Sequence, residues 1–394
     1  MRTQLSHRPF SEADRHGILW RRGTWPVRWL RLPTAAPAVA AFRLPLDLTQ
    51  AATVTLRMSA GERYRLWLDG DMQGTGPERG DERHWRLDAW RFDLAPGRHW
   101  LAVQVWALAE EAPVWQVSIP PGLLVIGEGD WHERISSGHA PWESCALAGH
   151  HLVKQDCAFF TGPRLDLDGA QQPWGWQCGE GGDFAPAKEG AWACTQAHGA
   201  GSHLPHLVPA NMPRPDGSPL PNGHAVLVDA LPDGGSSPAA NPAGHLEAEG
   251  LEWQGMLDGR GPVRIPAGSR RRCLVDLGEY RAAWPNLRAS GDGQVHLRFA
   301  EALFSEADSK PIDGNDKGDR RHWQGRFLRG LGPNFHTVAK AQDYHALDWE
   351  CGRWLEIIAS AGEDPLVLHS LTLSDTAYPL DDDAALDCDD PDII

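Results

Sequence analysis

Two antiparallel jelly-roll β-sandwiches in tandem are what this chain predicts, an all-β fold class, and three observations carry that expectation. Apolar and polar residues alternate at period 2 in one segment after another. The 42 glycines and 31 prolines punctuate those segments, as short strands joined by turns require. No long stretch shows the 3.6-residue period of a packed helix. At 394 residues the chain also exceeds what one compact core usually serves. The expected division is 1–145 for the first sandwich, 146–376 for the second, and 377–394 as an acidic tail.

Residues 1–35 are rich in Arg and Trp, with Trp20, Trp25 and Trp29 around Pro26, and read as an entry segment packed on the first domain. Strands follow at 41–44 and 52–58. Tyr64, Leu66 and Leu68 then alternate with Arg65, Trp67 and Asp69, the pattern of a strand with one buried face. Asp69-Gly70 is the pair that a type I′ hairpin turn needs, because both central residues take φ > 0. Pro77 stops the ladder, and Gly74-Thr75-Gly76-Pro77 lacks the helix and Lys-Ser/Thr of a phosphate loop. Further strands are expected at 100–106, 114–119 and 122–126.

Residues 146–250 are less regular, with turn-rich stretches at 171–176, 199–202 and 209–221 and a Gly/Ser/Pro/Ala linker near 231–242. Strands resume at 271–278, 284–289, 294–300, 346–349, 354–360 and 366–373, with Gly291-Asp292-Gly293 as a hairpin turn between two of them.

A net charge of -16 argues against nucleic acid, since no basic surplus exists to displace phosphate counterions. The local basic clusters, Arg270-Arg271-Arg272 and 317–321, read as solvated edge residues. Seven widely spaced cysteines form neither a zinc spacing nor a disulfide framework. The first residues lack the apolar core of a signal peptide, and no run reaches the roughly eighteen apolar residues of a membrane span. Free thiols without an export signal lead to a cytoplasmic expectation. Nineteen tryptophans against four tyrosines suit a sugar-handling sandwich, although most indoles belong in cores and seams.

The order Tyr64-Arg65-Leu66-Trp67-Leu68-Asp69-Gly70, Gly74–Gly80 and Asp93-Leu94-Ala95-Pro96-Gly97 resembles the N-terminal sandwich of bacterial α-L-rhamnosidase-type glycoside hydrolases of family 78. Asp276-Leu277-Gly278-Glu279-Tyr280, Trp284-Pro285-Asn286-Leu287 and 295–303 are similar to the next sandwich of that family, which in some members binds rhamnose with calcium. Residues 346–357 resemble its closing strands, and 388–393 the lead into a catalytic domain; 146–250 matches only loosely. The resemblance implies galactose-binding-like sandwiches and a helical toroid, C-terminal to them, that carries the catalytic carboxylates. No run of alternating helices appears in 1–394, so no catalytic position is assigned. The tail ends in Ile393-Ile394 with nothing to pack against, which reads as the start of a further domain.

The best candidate site is the polar stretch 308–320 with Glu301 before it. Asp313, Asn315 and Asp316 supply the hard oxygens that suit calcium, and vicinal sugar hydroxyls could complete its shell; Trp323 is the nearby aromatic. The bland reading is an exposed turn of Asx-turn formers. Relatives place an Asp-Asn pair here, whereas this chain has Asn315-Asp316 backed by Lys317, Arg320 and Arg321. Glu78, Arg79, Asp81, Glu82 and Arg83 read as braces of the hairpin, and His150, His151, His203, His206 and His224 as surface or loop residues. Ser136-Ser137-Gly138-His139 lacks the elbow of a nucleophile, and Asp229 and Glu247 flank the linker. The reading is therefore an accessory, non-catalytic region of a rhamnosidase-like hydrolase. Its partners would be rhamnose-containing carbohydrate and its own catalytic domain, not nucleic acid or membrane. The rival is a free-standing carbohydrate-binding or adhesion protein. A complete glycosidase would need two facing carboxylates about 5–10 Å apart.

Overall fold

The structure, a computed structural model, describes residues 24–81, 83–154, 161–194, 206–212, 217–232, 234, 237–306 and 319–378. The chain is all-β. Its early strands are β1 (Thr24–Leu30), β2 (Ala38–Leu48), β3 (Ala52–Gly61), β4 (Arg63–Leu68), β5 (Asp71–Gly76), β6 (His84–Leu94), β7 (Gly97–Ala107), β8 (Gly122–Gly127) and β9 (Glu143–Ala146). Next come β10 (His150–Val153), β11 (Arg164–Asp168), β12 (Ala185–Pro186), β13 (Glu189–Cys194), β14 (His206–Pro209), β15 (Pro219–Leu220) and β16 (His224–Ala230). The last are β17 (Val263–Ile265), β18 (Arg270–Ser290), β19 (Gly293–Ala300), β20 (Asn334–Thr337), β21 (Gln342–His345), β22 (Glu350–Ala361) and β23 (Leu366–Asp375). A helical turn, α1 (His132–Ile135), and one longer helix, α2 (Glu247–Leu257), interrupt them.

The expected hairpin stands: Asp69 and Gly70 take φ of 54° and 89° between β4 and β5. The first domain, however, is more than a two-sheet sandwich. One sheet closes on itself in the order β1-β13-β14-β6-β3-β8, and the second runs β12-β9-β2-β7-β4-β5. Leu56, Met58, Trp90, Phe92, Leu123 and Val125 of the closed sheet pack on Phe42, Tyr64, Leu66, Val103 and Val105 of the second. On its other side the closed sheet holds Trp25, Val27, Trp29, Trp85, Leu124, Ile126, Ala193 and Leu207. Closure comes from the segment that looked irregular. β14 pairs in parallel with β6, β13 pairs with β1, and β12 pairs with β9, so strand pairing does not divide at residue 145.

The second sheet is covered twice. Its other face presents Val39, Ala41, Trp67, Ala102 and Trp106 to the core of the second domain. The alternation at 64–69 therefore does not mark a solvent face: Arg65 is 3% exposed, and its guanidinium donates to the Ala346 carbonyl at 2.7 Å. Trp67 meets Trp176 edge-on at 5.2 Å. His150, expected at the surface, lies in this seam with Gln104 Nε2 at 3.1 Å. Burial, then the Arg65 charge, holds both His150 and His345 down to about 3. Burial, then neighbouring Asp348, pushes the Glu350 carboxyl up to about 8.

Eleven strands make the remaining sheet, with the 21-residue β18 at its centre. The first half of β18 pairs with β16 and β22, the second half with β21 and β23. Gly291-Asp292 is consequently a corner between layers rather than a hairpin, because β19 pairs with β20 and β22 and not with β18. Arg272 sits mid-sheet at 1% exposure, far from the solvated edge expected of it. It grips Asp229 through two bonds of 2.9 and 2.6 Å and donates to the Pro238 carbonyl at 2.6 Å. Its Nη1 lies 3.6 Å from Glu356, which also pairs with Arg298. Helix α2 went unread because Leu251 faces water while Gly250, Trp253, Met256 and Leu257 face inward. Glu247 and Glu249 favour its N-terminal turn, and Gly259 (φ 72°) ends it.

Two expectations follow. Arg272→Ala strands Asp229 in the core, leaving Glu356 paired with Arg298 alone, and should cost about 3–5 kcal/mol, read as a lower midpoint in urea unfolding. Glu350 has a folded pKa above its ordinary 4.5, so the folded protein keeps a proton that the unfolded chain releases. Its stabilising contribution is full below about pH 4.5 and is lost as pH rises to about 8. Stability of Glu350→Gln relative to the native chain should thus rise from pH 5 to 8, by at most about 1.4 kcal/mol per pH unit. A constant difference across that window would contradict the assignment.

Candidate functional site

β19 ends at Ala300, and Glu301 follows as the chain leaves the sheet. Phe304 and Phe327 exchange backbone bonds of 2.9 and 2.8 Å and clamp the base of the excursion between them. Within it, Asp313, Asn315 and Asp316, the sugar and calcium candidates, lie outside the described residues. Arg320 pairs with Glu301 at 2.7 Å, and its carbonyl accepts the buried Trp354 indole N–H at 2.8 Å.

Trp323 does not form an open platform. It packs half-buried against the cluster of Leu227, Leu274, Leu303, Leu328 and Trp354. The exposed ring is instead Tyr280, 56% accessible. A bulge in β18 puts it there: pairing with β22 breaks between Asp276 and Arg281, and Gly278 takes φ 82°. Gly278 N–H donates to Asp276 Oδ1 at 2.8 Å, and Arg353 holds Oδ2 at 2.9 Å.

From this bulge the Tyr280 hydroxyl donates to Cys351 Sγ at 2.9 Å. Burial, the Cys351 bond and the nearby Glu301 charge all push the phenol's pKa up, opposed by Arg320. Burial likewise raises the Cys351 thiol, with Glu350 and Glu301 adding to the effect. Tyr280, Glu301, Arg320, Glu350 and Cys351 thus share one neighbourhood at the rim of the excursion. An aromatic face beside a carboxylate–guanidinium pair is the chemistry that meets a polyol: apolar stacking plus paired donors and acceptors. Glu301 itself already holds a guanidinium. Tyr280 was missed as a site residue although Gly278, an interior strand glycine, marked the bulge that exposes it.

The remaining candidates are structural. Glu78 accepts the backbone N–H groups of Asn211 and Met212 at 2.8 and 2.9 Å and pairs with Arg86. Asp81 accepts from Arg83 and His84 N–H, and Arg79 stacks on Trp115 at 4.2 Å. Ser136 and Ser137 are fully buried. A wide concavity of about 880 Å³, lined by Ser269, Arg270, Gln294, Ser360 and Glu363, lies at the opposite end of β19 and β22 from Glu301. Its Arg270 guanidinium is already held by the Pro232 and Gly234 carbonyls. Five cysteines among the described residues are free thiols.

No family model and no curated protein matches the chain. Among solved structures it is similar to the GH78 family rhamnosidase of Bacillus sp. GL1, with 14% identity, a TM-score of 0.65, and coverage of 93% of this chain and 56% of that one. The α-L-rhamnosidase from Dictyoglumus thermophilum is a weaker likeness, with 13% identity, a TM-score of 0.45, and coverage of 88% and 36%. The chain therefore spans 56% of the length of the Bacillus enzyme. At such identity the likeness is one of fold: nearly all of this chain has the architecture of part of a GH78 rhamnosidase.

Proposed function

We propose that the chain is an accessory, non-catalytic region of an α-L-rhamnosidase-like glycoside hydrolase, acting in the cytoplasm on rhamnose-containing glycosides or glycans. The observation that carries this reading is the partial match: 93% of this chain aligns with 56% of the Bacillus rhamnosidase. In this reading a catalytic domain supplies the acid and base, and the doubly covered sheet gives it a stiff platform. The rim of Tyr280, Glu301 and Arg320 offers sugar a stacking face and paired polar groups, and Asp313, Asn315 and Asp316 are the further sugar ligands of this proposal. Calcium binding belongs to the same proposal and depends on those three residues.

The purified chain should release nothing from an aryl α-L-rhamnoside. Turnover abolished by one Asp or Glu substitution within the chain would overturn the non-catalytic reading. Glu350→Gln is the first variant to make, because burial, then the neighbouring Asp348 charge, raises the Glu350 carboxyl to about 8. Sugar binding is tested separately by calorimetry with L-rhamnose, with and without calcium. Millimolar affinity, about -4 kcal/mol, should weaken in Tyr280→Ala; a calcium-dependent part should vanish in Asp316→Ala. No heat under either condition would leave the excursion a plain turn.

A further inference from the structure

We infer that His132, Glu133 and His139 form a surface site for a divalent transition-metal ion of the zinc class. One ligand atom from each of the three lies within 4.8 Å of the others. Small side-chain rotations bring such a set to the roughly 2.0–2.2 Å bonds of zinc. The rings of His132 and His139 are 4.6 Å apart at 56°, close enough to share an ion.

The frame beneath is rigid. Ile135, Ser136 and Ser137 are fully buried. Ser136 Oγ accepts the Gly127 N–H at 2.9 Å, and Ser137 exchanges bonds with the backbone of Val125. Gly138 (φ 85°) then turns the chain against Arg28, which brings His139 back beside the helical turn that carries His132 and Glu133. Arg28 N–H closes the arrangement by donating to the Ser137 carbonyl at 3.1 Å.

Tautomer chemistry gives the second argument. His139 Nε2 lies 2.7 Å from the Pro26 carbonyl, which only accepts, so Nε2 carries the hydrogen. Nδ1 faces Glu133 Oε2 at 3.0 Å, and two lone pairs do not face each other without a cation between them. A proton or a metal ion fills that role. Metal-bound histidines almost always pass their other ring N–H to a carbonyl or carboxylate, the role Pro26 plays here. Ser136 Oγ, 3.1 Å from His132 Nδ1, is a partner for that ring's second nitrogen. Imidazole nitrogens select zinc, nickel or copper over calcium, so this site is chemically distinct from the excursion at 308–320. Three protein ligands at the surface leave a fourth position for water. The ion would tie the helical turn α1 to the turn at Gly138-His139.

Calorimetry of the full chain, stripped with a chelator and titrated with zinc chloride at pH 7.5, tests the site. A saturable uptake should weaken at least about ten-fold in Glu133→Gln, whose side chain is 77% exposed and not needed for folding. It should disappear in the His132→Ala/His139→Ala double variant, while calcium gives no competing heat. Zinc should also raise the melting temperature of the native chain but not of the double variant. No saturable uptake, or uptake and thermal shift unchanged in both variants, overturns the inference and leaves a bare Glu133–His139 ion pair.

Discussion

Much of the molecule is arranged around a sheet whose central strands meet a core on each face. β2, β4 and β7 lie between two cores, with Phe42, Tyr64, Leu66 and Val103 on one side and Val39, Trp67, Ala102 and Trp106 on the other. Such a sheet contributes apolar burial twice per strand, but every polar side chain on it must be satisfied inside the protein. Arg65 shows the consequence. Its charge is kept by a carbonyl of the other domain and by Asp348, and that charge adds to burial in holding the pKa of two histidines down. The seam is therefore a packed interior with a fixed electrostatic pattern, unlike the wet, mobile contact typical between domains.

A second buried network does the same inside the eleven-stranded sheet. Arg272, Asp229, Glu356 and Arg298 place alternating charges across β16, β18, β19 and β22. Hydrophobic residues of equal size could give comparable stability. What ion pairs add is register: a slip of one residue would turn Arg272 to the opposite face and leave Asp229 unpaired. The long β18, which serves both layers, is the strand for which register matters most.

The sequence disclosed the elements better than their neighbours. Period-2 alternation located β3, β4, β7, β19, β22 and β23, and Asp69-Gly70 identified its turn type, because both signals are local. Whether a strand face meets water or another domain is not a local property, so Arg65, His150 and Arg272 were read as more exposed than they are. Pairing partners were equally hidden: nothing near 189–209 announces that it completes a ring begun at Thr24. At the candidate site, Glu301 pairs with Arg320, whereas Trp323 turned inward to an apolar cluster and Tyr280 outward through a bulge. Only the Gly278 position carried a trace of that exchange.

The closed sheet has a consequence for how the chain acquires its shape during synthesis. β1 is made first, yet its partner β13 is separated from it by more than a hundred and fifty residues. Until β13 and β14 leave the ribosome, Trp25, Trp29 and Trp85 have an incomplete enclosure, and the edges of β1 and β6 lack their ring neighbours. Pairings of such high sequence separation form slowly and leave strand edges open to wrong partners meanwhile. The nascent chain thus carries an adhesive, tryptophan-rich half-ring until β14 has been made.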